Sequence, residues 1–286
     1  MSPDDAPPAG RHPVGFIGLG DIGAPMARRI SEAGWPLHVW ARRPDTIARL
    51  GGRPVVHDSP RSLAAACTVV CLCVVDAAGV EDVAVRAGLL DALRPGSALV
   101  VHSSIAPDDM RRLAAHAGAR EVHVADAPIS GGPTAAASGD LTTMVGTDPA
   151  TFELVRPILE CFSTAVHHVG DVGAGLTAKL INNVLCTANL GLAQRARQVG
   201  LELGLDPEAL HDILRTSSGG SFALNILPAI SRPDAAAHAL ALLRKDTALF
   251  GDLIAGNDGA ASRLVEAART ALDADLGPAL APTDAL

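Results

Sequence analysis

The chain has 286 residues, 48% of them hydrophobic, and a formal net charge of −8. That length supports one large domain or two modest ones around a sizeable core, and the hydrophobic content excludes disorder for most of it. The acidic balance argues against nonspecific binding to nucleic acid or to an anionic membrane, because both need an excess of Lys and Arg.

Residues 1–13 are rich in Pro and Asp and carry no apolar run, so they fit neither a secretory signal nor an Arg-rich transit peptide; a flexible tail is expected. The longest apolar stretch, 63–75, is too short to span a bilayer, and a soluble, cytoplasmic protein is expected. Three of the five cysteines, Cys67, Cys71 and Cys73, fall in that stretch. Together with Cys161 and Cys186 they read as small buried hydrophobes rather than disulfides or metal ligands. The ten histidines show no zinc-type spacing, so no metal is expected. The absence of tyrosine removes any mechanism that needs a Tyr proton donor.

From residue 14 to about 169, short apolar runs alternate with Ala-rich amphipathic segments. The runs predict strands at 14–18, 37–40, 55–57, 69–75, 98–101 and 122–125, with two more near 141–145 and 165–169 extending the sheet. Runs such as 69–75 are apolar at every position, which implies burial on both faces and a mostly parallel sheet. The alternation predicts a doubly wound, Rossmann-type α/β domain over 14–170. After Gly175 no strand is expected. Residues 176–203 predict one long helix, apolar on nearly every face and hence buried. Further helices are expected at 207–214, 236–254 and 260–272. An all-α second domain over 171–286 follows, joined by the long helix, with the boundary in the Gly-rich 170–175.

The first strand runs into Gly18, Leu19, Gly20, Asp21, Ile22 and Gly23, a GxGxxG that opens a helix expected over 22–33. The pattern is weak alone, but a strand before it and a helix after it point to a dinucleotide site; the alternative is a Gly-rich turn with no ligand. Gly18 allows the tight turn, Gly20 lets backbone approach a pyrophosphate, and Gly23 lets helix and sheet pack closely. Val74 and Val75, at the end of the fourth strand, would border the same ligand. An NAD site usually places an acid at the end of the second strand. Here that place reads Trp40, Ala41, Arg42, Arg43, with no acid before Asp45. A guanidinium can clamp a 2′-phosphate, so NADP(H) is expected, with NAD possible and Arg42 and Arg43 as the clamp. The alternative is a pair of solvated arginines at a helix start.

Two further segments stand out. Ser130, Gly131 and Gly132 follow the last strand of the parallel set and could offer a hydroxyl and backbone N–H groups to a carboxylate, or form an ordinary turn. The long helix is interrupted by Lys179, Asn182 and Asn183, and positions i and i+4 put Lys179 and Asn183 on one face. A buried lysine needs a partner or a lowered pKa; the alternative is a side chain that reaches out to solvent.

Four segments of this order resemble the β-hydroxyacid dehydrogenase family, which includes 3-hydroxyisobutyrate dehydrogenases and tartronate semialdehyde reductases. They are 15–27 with its glycine turn, His102 to Pro107, Asp126 to Gly132 with 141–146 after it, and Gly173 to Asn183; Lys245 and Asp246 resemble a further Lys–Asp pair. The resemblance implies that Lys179 is the general acid/base, that Ser130, Gly131 and Gly132 hold a substrate carboxylate, that Asn183 orients substrate and lysine, and that Ser104 and Lys245 lie near the cofactor. It implies hydride exchange between NADP(H) and a small 3-hydroxy acid or semialdehyde acid. His102, where relatives often have Asp, and the stretches 133–137 and 228–239 depart from the family pattern near the substrate pocket. Imine reductases share the architecture but usually replace the lysine. A non-catalytic NADP(H)-binding redox sensor would need the glycine turn but not Lys179. So much apolar sequence in a short helical half also predicts a homodimer or larger homo-oligomer.

Overall fold

The computed structural model describes residues 11–48 and 50–280. Of the tail expected at 1–13, residues 1–10 lie outside the described residues. The chain divides into two compact units, Met1–Lys179 and Leu180–Leu286, so the division falls four residues beyond the expected 170–175.

The first unit is built on a nine-stranded sheet. Its strands are β1 (Val14–Ile17), β2 (Leu37–Trp40), β3 (Val55–Val56), β4 (Val69–Leu72), β5 (Ala98–Val101), β6 (His123–Asp126), β7 (Ile129–Ser130), β8 (Leu141–Gly146) and β9 (Ser163–Gly170). The spatial order is β3-β2-β1-β4-β5-β6-β8-β7, with β9 paired to β8. The first six strands are parallel, in the order of a doubly wound dinucleotide-binding sheet. β8 then runs antiparallel to β6 and β7, and β9 runs parallel to β8. The helices of this unit are α1 (Gly23–Glu32), α2 (Pro44–Ala48), α3 (Pro60–Ala66), α4 (Ala77–Glu81), α5 (Leu89–Ala92), α6 (Pro107–Gly118), α7 (Gly132–Ser138) and α8 (Pro149–Leu159).

Every residue of β1, β4 and β5 is buried, which accounts for their unbroken apolar runs. Alternate residues feed two cores, one on each face. Phe16, Cys71 and Val100 join Met26, Ala27 and Ile30 of α1 and Val155 and Ile158 of α8. Ile17, Val70, Leu72, Leu99 and Val101 join Leu63 of α3 and Met110 and Leu113 of α6. Local chemistry sets the helix starts. Ser59 and Ser62 form a capping box at α3, and Asp148 accepts the N–H groups of Ala150 and Thr151 at α8. Burial pushes the thiols of Cys67 and Cys73 up to about 12, so they act as packing atoms.

The long helix α9 (Ala174–Glu202) begins in the first unit and continues through the second. The second unit adds α10 (Pro207–Thr216), α11 (Phe222–Ile230), α12 (Pro233–Leu253), α13 (Ala260–Thr270) and α14 (Gly277–Leu280), with a π-helical turn at Ala271–Leu276. Two cores hold this unit. Leu180 and Val184 pack with Phe250, Val265 and Ala268, and Leu190 and Ala193 pack with Leu224, Leu227, Leu272 and Leu276. A Cβ at Gly191 would meet the Ala271 side chain at 2.3 Å, so that glycine permits the close approach. The expected all-round burial of α9 does not hold. Ile181, Leu185, Leu192 and Val199 are exposed, because only one stripe of the helix faces the two cores.

Candidate active site

The carboxyl ends of β1 and β4 meet where the strand order reverses, and that is where open α/β sheets bind ligands. The turn after β1 is shaped by its glycines. Gly18 has φ +98°, and a Cβ there would lie 2.0 Å from the Cys73 carbonyl oxygen. A Cβ at Gly23 would lie 1.9 Å from the Gly18 carbonyl oxygen, so the start of α1 sits directly on the turn. Nothing lies within 4 Å of the position a Cβ on Gly20 would take. Leu19 is buried beneath the turn while Gly20 and Asp21 are exposed. No side chain caps α1 at Ile22, and its first turn carries no acidic residue. A helix N-terminus in that state favours an anion. The turn therefore fits the pyrophosphate of a dinucleotide.

Neighbouring segments border the same end of the sheet. After β4, the Ser103 hydroxyl accepts the Val74 N–H at 3.1 Å and donates to the Val74 carbonyl at 2.7 Å. This brace leaves Val75 83% exposed. Ser103, which sequence reasoning passed over in favour of Ser104, is buried, while Ser104 is half-buried beside it. Arg42 and Arg43 are exposed just beyond β2. Arg42 Nη2 lies 3.7 Å from Asp82 Oδ2, but Asp82 is held more closely by Arg86 at 2.7 Å. An exposed pair of that length contributes little, so the Arg42 guanidinium can turn to another anion.

His102, at the end of β5, is buried between Phe16 and Phe162. Its Nδ1 donates to the Ala127 carbonyl at 2.7 Å, and burial brings its pKa down to about 4. It is a buried ring at the position where the sequence departs from the family pattern.

Asp126 closes β6 and is fully buried. Its carboxylate accepts the N–H of Gly173 at 2.6 Å and of Leu176 at 2.7 Å, so it clasps the first turn of α9. Burial pushes its pKa up to about 6, and the backbone donors, Gly175 among them, hold it back from rising further. Four residues on, Ser130 pairs with Thr142 of β8, and Gly131 (φ +133°) and Gly132 (φ +75°) turn the chain into α7. These φ values suit glycine alone.

Lys179 is the last residue of the first unit, half-buried on α9. The helix is unbroken from Ala174 to Glu202, so Lys179 and Asn183 share one face of it, as their spacing predicts. Within the second unit, Asn183 Nδ2 donates to Asp246 Oδ2 at 2.5 Å, and Asn182 Nδ2 donates to Asn183 Oδ1 at 3.0 Å. Lys245 Nζ lies 3.5 Å from Asp246 Oδ1. Asn183, Asp246 and Lys245 thus form one network, in which the buried Asp246 fixes the Asn183 amide. Among the described residues no group of three or more His, Cys, Asp or Glu could hold a metal.

The fold and the glycine turn define an NAD(P)-binding protein with a helical second unit. Comparison with known proteins agrees. Residues 13–170 match the model for the NAD binding domain of 6-phosphogluconate dehydrogenase, and residues 173–280 match that for the NAD-binding domain of NADP-dependent 3-hydroxyisobutyrate dehydrogenase. The chain is 33% identical over 213 residues to 2-(hydroxymethyl)glutarate dehydrogenase of Eubacterium barkeri, covering 74% of this chain and 71% of that one. Among solved structures, the 3-hydroxyisobutyrate dehydrogenase of Mycobacterium tuberculosis with L-serine superposes with a TM-score of 0.76 at 29% identity, covering 93% of this chain and 96% of that one. Psf3, solved with NADP+ and 2-OPP, gives a TM-score of 0.79 at 28% identity, over 91% of this chain and 93% of that one. The chain belongs to the β-hydroxyacid dehydrogenase family and is an NAD(P)-dependent oxidoreductase acting on CH–OH groups.

Proposed function

We propose that the protein exchanges a hydride between NADP(H) and a small 3-hydroxy acid or the matching semialdehyde acid, with Lys179 as general acid/base. The observation that carries this reading is the join of Asp126 to the start of α9: it ties the lysine-bearing helix to the carboxyl edge of the dinucleotide-binding sheet. Gly18 to Gly23 would hold the pyrophosphate, with Val74, Val75 and Ser104 beside the cofactor and Lys245 near it. Arg42 and Arg43 would clamp the 2′-phosphate; their exposure and the absence of an acid between Trp40 and Asp45 support NADP(H) over NAD.

The bound nicotinamide supplies or accepts the hydride. The protein's own residues do the remainder. Ser130 and the backbone N–H groups of Gly131 and Gly132 grip the substrate carboxylate. Lys179 gives a proton to the carbonyl oxygen in reduction, or takes it from the hydroxyl in oxidation, and its ammonium offsets the developing alkoxide charge. Asn183, held by Asp246, orients the reacting oxygen.

The exposed apolar stripe of α9 supports a homodimer or larger homo-oligomer. No helix among the described residues is long and apolar enough to cross a membrane, and a cytoplasmic location fits that. The test is a turnover panel of semialdehydes, keto acids and cyclic imines with NADPH and NADH. Semialdehyde acids should give the highest kcat/KM, with NADPH preferred by at least tenfold. Better turnover of imines, or a preference for NADH, would overturn the corresponding part of the reading.

A further inference from the structure

We infer that Asp126 is a positioning residue for the proton-transfer step: its buried carboxylate sets where α9 begins, and so where Lys179 is presented. The inference rests on the proposed role of Lys179. Asp126 ends β6, in the parallel set whose carboxyl edge carries the glycine turn, and lies 47 and 50 residues before its partners Gly173 and Leu176. Lys179 follows Leu176 by less than one helical turn, so any slide or tilt of the first turn reaches its side chain undiminished. The joint leaves no slack. A Cβ at Gly146, which pairs with Asp126 across β6 and β8, would lie 2.6 Å from Asp126 Oδ1 and 2.7 Å from the Gly175 nitrogen. A Cβ at Gly175 would lie 2.4 Å from the Met144 carbonyl oxygen and 2.8 Å from Asp126 Oδ2.

A carboxylate suits this task in two ways. It accepts N–H groups at both of its oxygens, whereas a neutral amide would turn an NH2 donor toward one of them. It also places negative charge at the positive end of α9, where the helix dipole favours an anion.

The experiment compares wild type, Asp126→Asn and Lys179→Ala by three readings: amide hydrogen exchange over 173–179, NADPH dissociation constant, and kcat and KM for a semialdehyde acid. In wild type, the amides of Gly173 and Leu176 should exchange slowly. In Asp126→Asn, exchange there should speed up and kcat should fall about 10- to 100-fold, the scale of a displacement near 1 Å. NADPH affinity and KM should stay within about threefold. A residue that only holds the fold together would lower the melting temperature and leave kcat per folded molecule unchanged, and that result overturns the inference. So does rapid exchange of Gly173 and Leu176 in wild type, a reading that needs no variant to fold. If Lys179→Ala is fully active, the reading of Lys179 itself is at fault. If Lys179→Ala is inactive and Asp126→Asn keeps its kcat, the fault lies with Asp126 alone.

Discussion

At the scale of single residues, His102 and Asp126 show how burial sorts the ionisable groups around the sheet's carboxyl edge. His102 has a folded pKa of about 4, below the value of 6.5 it regains on unfolding. Between those values the unfolded chain binds the extra proton, so the stability His102 contributes is intact above pH 6.5 and is lost as pH falls toward 4. The loss amounts to about 3 kcal/mol. Asp126 works in the opposite sense, because its folded pKa of about 6 stands above the ordinary 3.8. Its contribution is present at low pH and is lost as pH rises through 6. The two nearly cancel in wild type, so the comparison must be made with a variant. The stability difference between wild type and His102→Phe, from urea titrations at pH 7 and pH 4, should shift by about 3 kcal/mol against wild type at the lower pH. An unchanged difference would mean that the ring is not held neutral. In the sequence His102 stood out only as a departure from the family pattern. Its burial between Phe16 and Phe162 depends on contacts that no spacing rule shows.

At the scale of elements, the strands were legible and the joints between them were not. The central parallel strands β1, β4 and β5 announced themselves as unbroken apolar runs because both faces are covered, and the glycine turn was readable from its spacing, with Gly18 and Gly23 each set against a backbone oxygen that leaves no room for a Cβ. The demand at Gly23 gives a direct test. In Gly23→Ala the new Cβ would sit 1.9 Å from the Gly18 carbonyl oxygen, so α1 must move away from the turn. The variant should lose about 1–3 kcal/mol of stability and bind NADPH at least tenfold more weakly. Unaltered affinity would mean that the start of α1 is not part of the cofactor site. By contrast, the two-residue β7 is too short for any periodicity, and α11 hides behind the apparent breaker Pro228. Ser103 was passed over because its partner, Val74, is 29 residues away. The clasp of Asp126 on α9 was illegible for the same reason. The pattern showed the loop that begins at Asp126 and the helix that carries Lys179, and only the fold brings them together.

At the scale of the whole molecule, the sequence foresaw the sheet followed by a helical half, and the exposed face of α9 is what its all-round apolar character leaves over. Ile181, Leu185, Leu192 and Val199 remain exposed in the single chain, which is costly unless another surface covers them. Wild type should therefore run as a dimer or larger in light scattering, and Leu185→Lys with Leu192→Lys should shift it toward the monomer. A monomeric wild type at micromolar concentration would contradict this. The central claim concerns the amine on α9, and a single comparison tests it most directly: kcat for a semialdehyde acid in wild type and Lys179→Ala, with NADPH affinity measured alongside. The account predicts a fall in kcat of at least 10²- to 10⁴-fold, the usual worth of a general acid, with cofactor affinity within about threefold. Turnover at the wild-type rate in the variant would contradict it.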